Sequence, residues 1–112
     1  MIYHILNKKE WEDSRSNEFY LPETFAKEGF IHCSAADKVE ESANRFFREK
    51  SEIVILCIDE DRVKADIIYE DLYNTGFEFP HIYGLLNLDS VVEAVIFKSE
   101  KNGEFKLGEL LN

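Results

Sequence analysis

The fold is decided by the stretch Ile53-Val54-Ile55-Leu56-Cys57-Ile58. This run is almost entirely apolar and rich in β-branched side chains, which predicts a central strand of a sheet. The polar run Asp59-Glu60-Asp61-Arg62 follows it directly and predicts a turn.

The segment before this strand contains the clearest helix of the chain. Four apolar residues repeat at helical spacing and form one apolar face: Val39, Ala43, Phe46 and Phe47. Ser34 is expected to cap this helix, with Asp37 three residues later in a capping-box arrangement. We expect the helix to end near Lys50.

Shorter elements are expected closer to the N-terminus. The apolar segments 2–6 and 30–33 predict two strands, and a helical turn is expected at residues 10–13. A short helix is predicted from Pro22 to Glu28, because proline suits the first helical turn and the following Gly29 suits its end.

The C-terminal half predicts further strands at residues 67–69 and 91–97. Asn102-Gly103 is typical of a hairpin turn, which would lead into a last strand at 105–107. The segment 77–84 is aromatic, contains Pro80 and follows neither period, so we expect an irregular segment that lines a pocket or anchors a loop.

About six strands and one main helix, with short helices and no regular βαβ alternation, predict an α+β fold with a mixed or antiparallel sheet. A length of 112 residues fits one domain that spans residues 1–112.

The charge of the chain excludes some classes of partner. Acidic residues outnumber basic ones 23 to 13, the formal net charge is −10, and no basic run exceeds Lys8-Lys9. A nucleic-acid partner or an anionic membrane surface is therefore not expected. The N-terminus lacks the features of a signal peptide, and no apolar run approaches the roughly 20 residues that span a bilayer. We expect a cytoplasmic protein, and the sequence leaves its oligomeric state open.

The two cysteines, Cys33 and Cys57, both lie in apolar segments without CxxC spacing. This pattern favours reduced, buried side chains. A Cys33 nucleophile next to His32 is the alternative, but neighbouring residues on a strand point to opposite faces, so these two side chains should not meet.

The residues best suited to catalysis or ligand binding are the three histidines, His4, His32 and His81. All three lie in apolar or aromatic surroundings. Histidine acts as an acid, a base or a hydrogen-bonding group near neutral pH, but for any one of the three taken alone the residue type favours a structural histidine with a satisfied partner. Their spacing matches no metal motif, so we expect no metal site. Glu78, two residues before Pro80-His81, is the first candidate for a catalytic carboxylate, and its alternative role is that of a solvated surface residue.

Three further residues are candidates for binding a small ligand beside the histidines: Trp11, Ser34 and Tyr83. Helix capping alone would explain Ser34, and the two aromatic residues would serve equally well in the core.

Several strings together resemble the bacterial family known as domain of unknown function 952. The most specific are Glu28-Gly29-Phe30-Ile31-His32-Cys33-Ser34 and Phe79-Pro80-His81-Ile82-Tyr83-Gly84. The resemblance covers essentially the whole chain, and the family name implies no activity.

A more distant resemblance joins the chain to RNA 2′-phosphotransferases and related ADP-ribosyltransferases. It rests on the order of Tyr3-His4, Trp11, Gly29-Phe30 and Ile31-His32. The resemblance implies a split, mixed sheet that binds NAD, with His4 at a ribose or adenine edge and His32 at phosphate or ribose. A later carboxylate, Glu78 or Glu70, would then stabilise a ribosyl cation. The chain departs from this pattern at Ile5-Leu6, where those enzymes have glycine-threonine.

Three functions therefore remain open at the level of the sequence. The chain is an ADP-ribosyltransferase-like enzyme that acts on NAD or a nucleotide derivative, a non-catalytic module for a small metabolite or a protein, or a histidine-dependent hydrolase or isomerase. NAD is the one cofactor that the resemblance suggests.

Overall fold

Strand β4, Glu52–Ile58, is the middle strand of the first sheet in a computed structural model that describes residues 1–108. It pairs antiparallel with β1, Ile2–Leu6, on one side and with β8, Val91–Lys98, on the other. Every residue from Ile53 to Ile58 is buried. The continuous apolar run thus marks a central strand, as predicted.

The second sheet has the order β3-β6-β5, with all pairs antiparallel. Its strands are β3, Ile31–His32, β5, Asp66–Glu70, and β6, Phe79–Tyr83. A two-stranded ladder joins β2, Phe19–Tyr20, to β7, Leu86–Asn87. The fold is α+β with antiparallel sheets, and the mixed-sheet alternative does not apply to the pairings that the structure describes.

Residues 31–34 connect the two sheets. The amide of Cys33 donates to the carbonyl of Pro80 in the second sheet at 2.9 Å, and Tyr3 and Ser34 exchange two backbone hydrogen bonds of 2.8 and 2.7 Å with the first. One short segment therefore brings residues of both sheets to the same place.

Three helices accompany the sheets: α1, Lys8–Ser14, α2, Phe25–Glu28, and α3, Val39–Phe46. Asn7 caps α1 by accepting from the amide of Glu10 at 2.7 Å. Gly29 ends α2 in the left-handed conformation, with φ at 82°, as expected of a terminating glycine.

Two hydrophobic clusters form the core, one on each face of β4. Val54 and Leu56 contribute to a cluster that also contains Ile31 and Ile82 of the second sheet. Ile55 contributes to the other cluster, against α3 and residues 105 and 107. The alternation of one strand between two cores explains why no polar residue interrupts it.

Four local predictions are wrong. The α3 helix begins at Val39, and Ser34 does not cap it, because the backbone of Ser34 bridges to Tyr3 and its Oγ atom lies 2.9 Å from Ser42 Oγ. The same helix ends at Phe46 rather than near Lys50.

The other two corrections concern strands. The aromatic segment 77–84 contains the middle strand of the second sheet, because burial of residues 79–82 removes the polar alternation that marks a half-exposed strand. Residues 105–107 form no strand, since Asn44 and Glu40 of α3 satisfy the backbone amides of Phe105 and Leu107 instead.

Candidate functional site

Strand register brings His32 and His81 together. The two residues are direct partners across the antiparallel pair of β3 and β6, so their side chains lie on the same face. The Nδ1 atom of His32 lies 3.0 Å from Nε2 of His81. On the other neighbouring strand, Glu70 Oε1 lies 2.9 Å from His81 Nδ1. We call Glu70, His81 and His32 the relay.

Charge fixes the direction of the hydrogen bonds in the relay. The pKa of Glu70 is lowered because the Tyr83 hydroxyl and then the His81 ring donate to its carboxylate. An ionised Glu70 only accepts, so His81 donates from Nδ1 and, when neutral, accepts at Nε2 from the Nδ1–H of His32. The Nε2 atom of His32 then carries a free lone pair.

This Nε2 atom of His32 is buried and has no hydrogen-bond partner within residues 1–108. Burial, and secondarily the neighbouring His81, lower the pKa of His32 to about 4, so the ring is neutral at pH 7. A buried acceptor without a partner costs about 1–3 kcal/mol of stability. Such an atom is unusual in a native protein and is the natural position for a donor from a ligand.

Packing holds the relay in place. The ring of Phe30 stacks on His81 with centroids 4.1 Å apart and an interplanar angle of 16°. His81 is fully buried, whereas the Glu70 side chain retains 22% of its exposure. The relay therefore leads from a buried ring nitrogen to a carboxylate that reaches solvent.

His4 lies beside the relay, but both of its ring nitrogens have partners in the protein. Nδ1 lies 2.7 Å from the carbonyl oxygen of His32, to which it donates, and Nε2 lies 3.1 Å from the Tyr20 hydroxyl. That hydroxyl donates its one proton to Glu10 Oε1 at 2.9 Å. Burial lowers the pKa of His4 to about 4. The ring orients the backbone of His32 and is itself held in place.

A cavity of about 210 Å³, the main cavity, opens beside His4 and His32 between β1, α2 and α3. Aromatic side chains form much of its wall: Tyr3, Phe46, Phe47 and Tyr73. Its polar groups include Glu28, Ser34 and Ser42. Burial and the adjacent Glu28 raise the pKa of Tyr73. The main cavity offers one neutral base and one carboxylate, and no lysine or arginine lines it in the described chain.

The other residues predicted for the site lie in different settings. Ser34 lines the main cavity, and the Tyr83 hydroxyl donates to Glu70 at the outer end of the relay. Trp11 packs, half-buried, against the core that joins the two sheets. Glu78 is exposed, and in the described chain no hydrogen bond joins it to a histidine.

Sequence reasoning did not single out Tyr73 or Tyr20, and it ranked Glu70 behind Glu78. Glu70 reaches His81 only because it sits one strand away and two positions along, a relation that the register of β5 and β6 creates. No spacing in the sequence reveals that relation. Tyr73 lies in a loop without periodicity, so no pattern marks it.

Cys33 is buried in the core, and burial raises the pKa of its thiol. It lies on the face opposite His32, in agreement with strand alternation, and both cysteines are free. Among residues 1–108 no cluster of three His, Cys, Asp or Glu side chains is arranged to hold a metal ion. No helix described by the structure is long and apolar enough to cross a membrane.

Comparison with known proteins gives a family and a fold. The profile of the family described as "Protein of unknown function (DUF952)" matches residues 5–94. The crystal structure of protein CC0527 from Caulobacter crescentus is similar, with a TM-score of 0.88 and 28% identity over 98% of this chain and 96% of that one. Its solution NMR structure gives a TM-score of 0.82 and 27% identity over 97% and 94% of the two chains. No curated protein matches the chain significantly.

Proposed function

The chain belongs to the DUF952 family, and we propose that it is an enzyme that acts on a small polar molecule with His32 as the general base. The observation that carries the proposal is the buried, unpartnered Nε2 atom of His32, a residue that lines the main cavity. A ligand whose hydroxyl, amine or acidic C–H group meets this lone pair would supply the missing donor.

The relay supports proton transfer beyond simple hydrogen bonding. When His32 takes a proton at Nε2, it can pass its Nδ1 proton to His81 Nε2, 3.0 Å away. The positive charge then rests on a ring that donates to Glu70 and stacks on Phe30. Glu70 and His81 are therefore positioning residues in this proposal, and His32 is the residue that touches the substrate.

The cavity lining supports a neutral or cationic reacting group. Glu28 is the carboxylate that lines the main cavity, and no lysine or arginine in the described chain lines this cavity to pair with a pyrophosphate. A volume of about 210 Å³ also falls below the roughly 300–1,000 Å³ of sites that enclose drug-sized ligands. Both features favour a compact metabolite over NAD.

Proton abstraction can be tested without knowledge of the product. Mixtures of small hydroxy, amino and carbonyl compounds would be incubated with the protein in D₂O, and mass spectrometry would detect deuterium incorporation, hydrolysis or isomerisation. The matched variant is His32→Gln, which keeps a polar side chain but cannot accept a proton. Turnover that the wild type has and the variant loses by roughly 10²-fold or more is the expected result.

Other results would separate the alternatives. Turnover that survives in His32→Gln would place the chemistry elsewhere and contradict the proposal. Saturable shifts of the His32 ring signals in NMR without turnover would favour the non-catalytic binding module. Binding of NAD with loss of binding in a Glu28→Gln variant would instead favour the ADP-ribosyltransferase-like function.

A further inference from the structure

A second, smaller cavity shares part of its lining with the main cavity. It measures about 50 Å³, we call it the side cavity, and it shares His32, Ser42, Phe46 and Tyr73 with the main cavity. Arg45 lines it as well. Because His32 lines both cavities, a ligand in either one lies beside this residue.

Arg45 is available to a ligand. Its guanidinium packs over Phe46 at 5.3 Å, and within residues 1–108 it forms no salt bridge within 4.0 Å and no side-chain hydrogen bond. Glu41 stands four residues earlier on the same helix and also lines the side cavity, but it is not within ion-pair distance. The other nearby cation, Lys38, lies over the Phe77 ring at 3.6 Å.

We infer, resting on the proposed function, that the substrate is a small hydroxy- or amino-carboxylic acid whose carboxylate binds Arg45 in the side cavity. Its hydroxyl or amine then reaches the Nε2 atom of His32. Arginine binds carboxylates through two parallel N–H bonds, which fixes orientation as well as position.

The charges around the two cavities set the direction of the substrate. Glu28 in the main cavity repels a carboxylate, and Arg45 in the side cavity attracts one, so we expect the acid to bind with its carboxylate in the side cavity. A single arginine flanked by Glu41 suits one negative charge. Both glutamates repel the second charge of a phosphate dianion, so we expect a carboxylate rather than a phosphate.

Matched probes of equal length test this inference. The probes are 4-hydroxybutyrate, 1,4-butanediol, 4-amino-1-butanol and 2-hydroxyethyl phosphate, each titrated while the ring signals of His32 are followed by NMR. We expect 4-hydroxybutyrate to bind roughly three- to tenfold more tightly than the diol, since an exposed arginine gives a modest, salt-sensitive gain. The aminoalcohol and the phosphate should bind more weakly than the carboxylate.

Two variants complete the test. Arg45→Gln should abolish the preference for the carboxylate over the diol, whereas Lys50→Gln, which removes the same charge from an exposed position outside both cavities, should retain it. Equal affinity for acid and diol, or a preference that survives Arg45→Gln, would overturn the inference while the diol still reports a working His32 site. A tighter phosphate would overturn the choice of carboxylate. If no probe shifts His32, the inference and the proposed site both fail.

Discussion

The two three-stranded sheets of this protein differ in whether their buried histidine nitrogens have hydrogen-bond partners. In the first sheet, β4 buries only apolar side chains and Cys57, and the one buried histidine, His4 of β1, has partners for both ring nitrogens. In the second sheet, β3 and β6 bring two more histidines into the interior and leave one nitrogen unpartnered within residues 1–108.

The difference separates stability from chemistry. A fully satisfied interior stabilises the fold, and a polar group without a partner lowers stability unless a ligand completes it. We interpret the first sheet as the support of the fold and the second as the carrier of the site. Four measurements break or sharpen this comparison.

The largest expected loss in the free energy of unfolding follows a substitution in the first sheet. Leu56→Ala removes a fully buried side chain from the middle of β4 and should lower the free energy of unfolding by about 2–5 kcal/mol. The matched control is Ile68→Ala in the second sheet, where the side chain is 46% exposed and the loss should stay below about 1 kcal/mol. Chemical denaturation measures both, and similar losses would contradict the division between the sheets.

A lower pH should reduce the free energy of unfolding because His4, the buried histidine of the first sheet, is neutral in the folded protein. The pKa of His4 is about 4 in the folded protein and near its ordinary value of 6.5 in the unfolded chain. The unfolded state therefore binds more protons between these values, and stability should fall as pH drops from about 7 towards 4, by about 3 kcal/mol from this residue. Denaturation of His4→Gln across the same range should show a flatter pH dependence, and an unchanged slope would contradict the assignment.

Replacement of His32 in the second sheet should change the free energy of unfolding only slightly. His32→Leu removes the unpartnered Nε2 atom but leaves Nε2 of His81 without its donor, so one unpaired nitrogen replaces another. We expect the free energy of unfolding to change by no more than about 1 kcal/mol, while ligand binding measured by calorimetry disappears. A loss as large as that of Leu56→Ala would mean that His32 is a structural residue.

The smallest change in stability is expected at the outer end of the relay. In Glu70→Gln the side-chain oxygen still accepts from His81 and Tyr83, so the melting temperature should stay close to that of the wild type. The variant no longer places a negative charge beside the His81 ring, and any turnover should fall by about tenfold or more. If a folded Glu70→Gln variant kept its turnover, Glu70 would have no part in proton transfer through the relay.

The sequence predicted the elements whose pattern is local. The apolar run of β4, the strand at residues 2–6 and the glycine that ends α2 all follow from side chains within a few positions of each other. The middle strand of the second sheet escaped prediction because Pro80 and continuous burial hide its period.

The candidate site was predictable only in part for the same reason. The three histidines stood out by residue type, yet the contact between His32 and His81 spans 49 positions and depends on strand register. The choice of Glu70 over Glu78 also needs the pairing of β5 with β6. Single-residue chemistry is visible in a sequence, whereas the distance between two side chains on different strands is a property of the fold.

The course of the relay through the second sheet has a consequence for how such a site would operate. Its inner end faces the cavities between α2 and α3, and its outer end, Glu70 and Tyr83, lies at a partly exposed surface. A ligand that fills the cavities would exclude water from His32. The proton on the relay would still exchange with bulk solvent through Glu70. The substrate and the proton would thus reach solvent by separate routes. The relay would return its proton to water while the product is still bound.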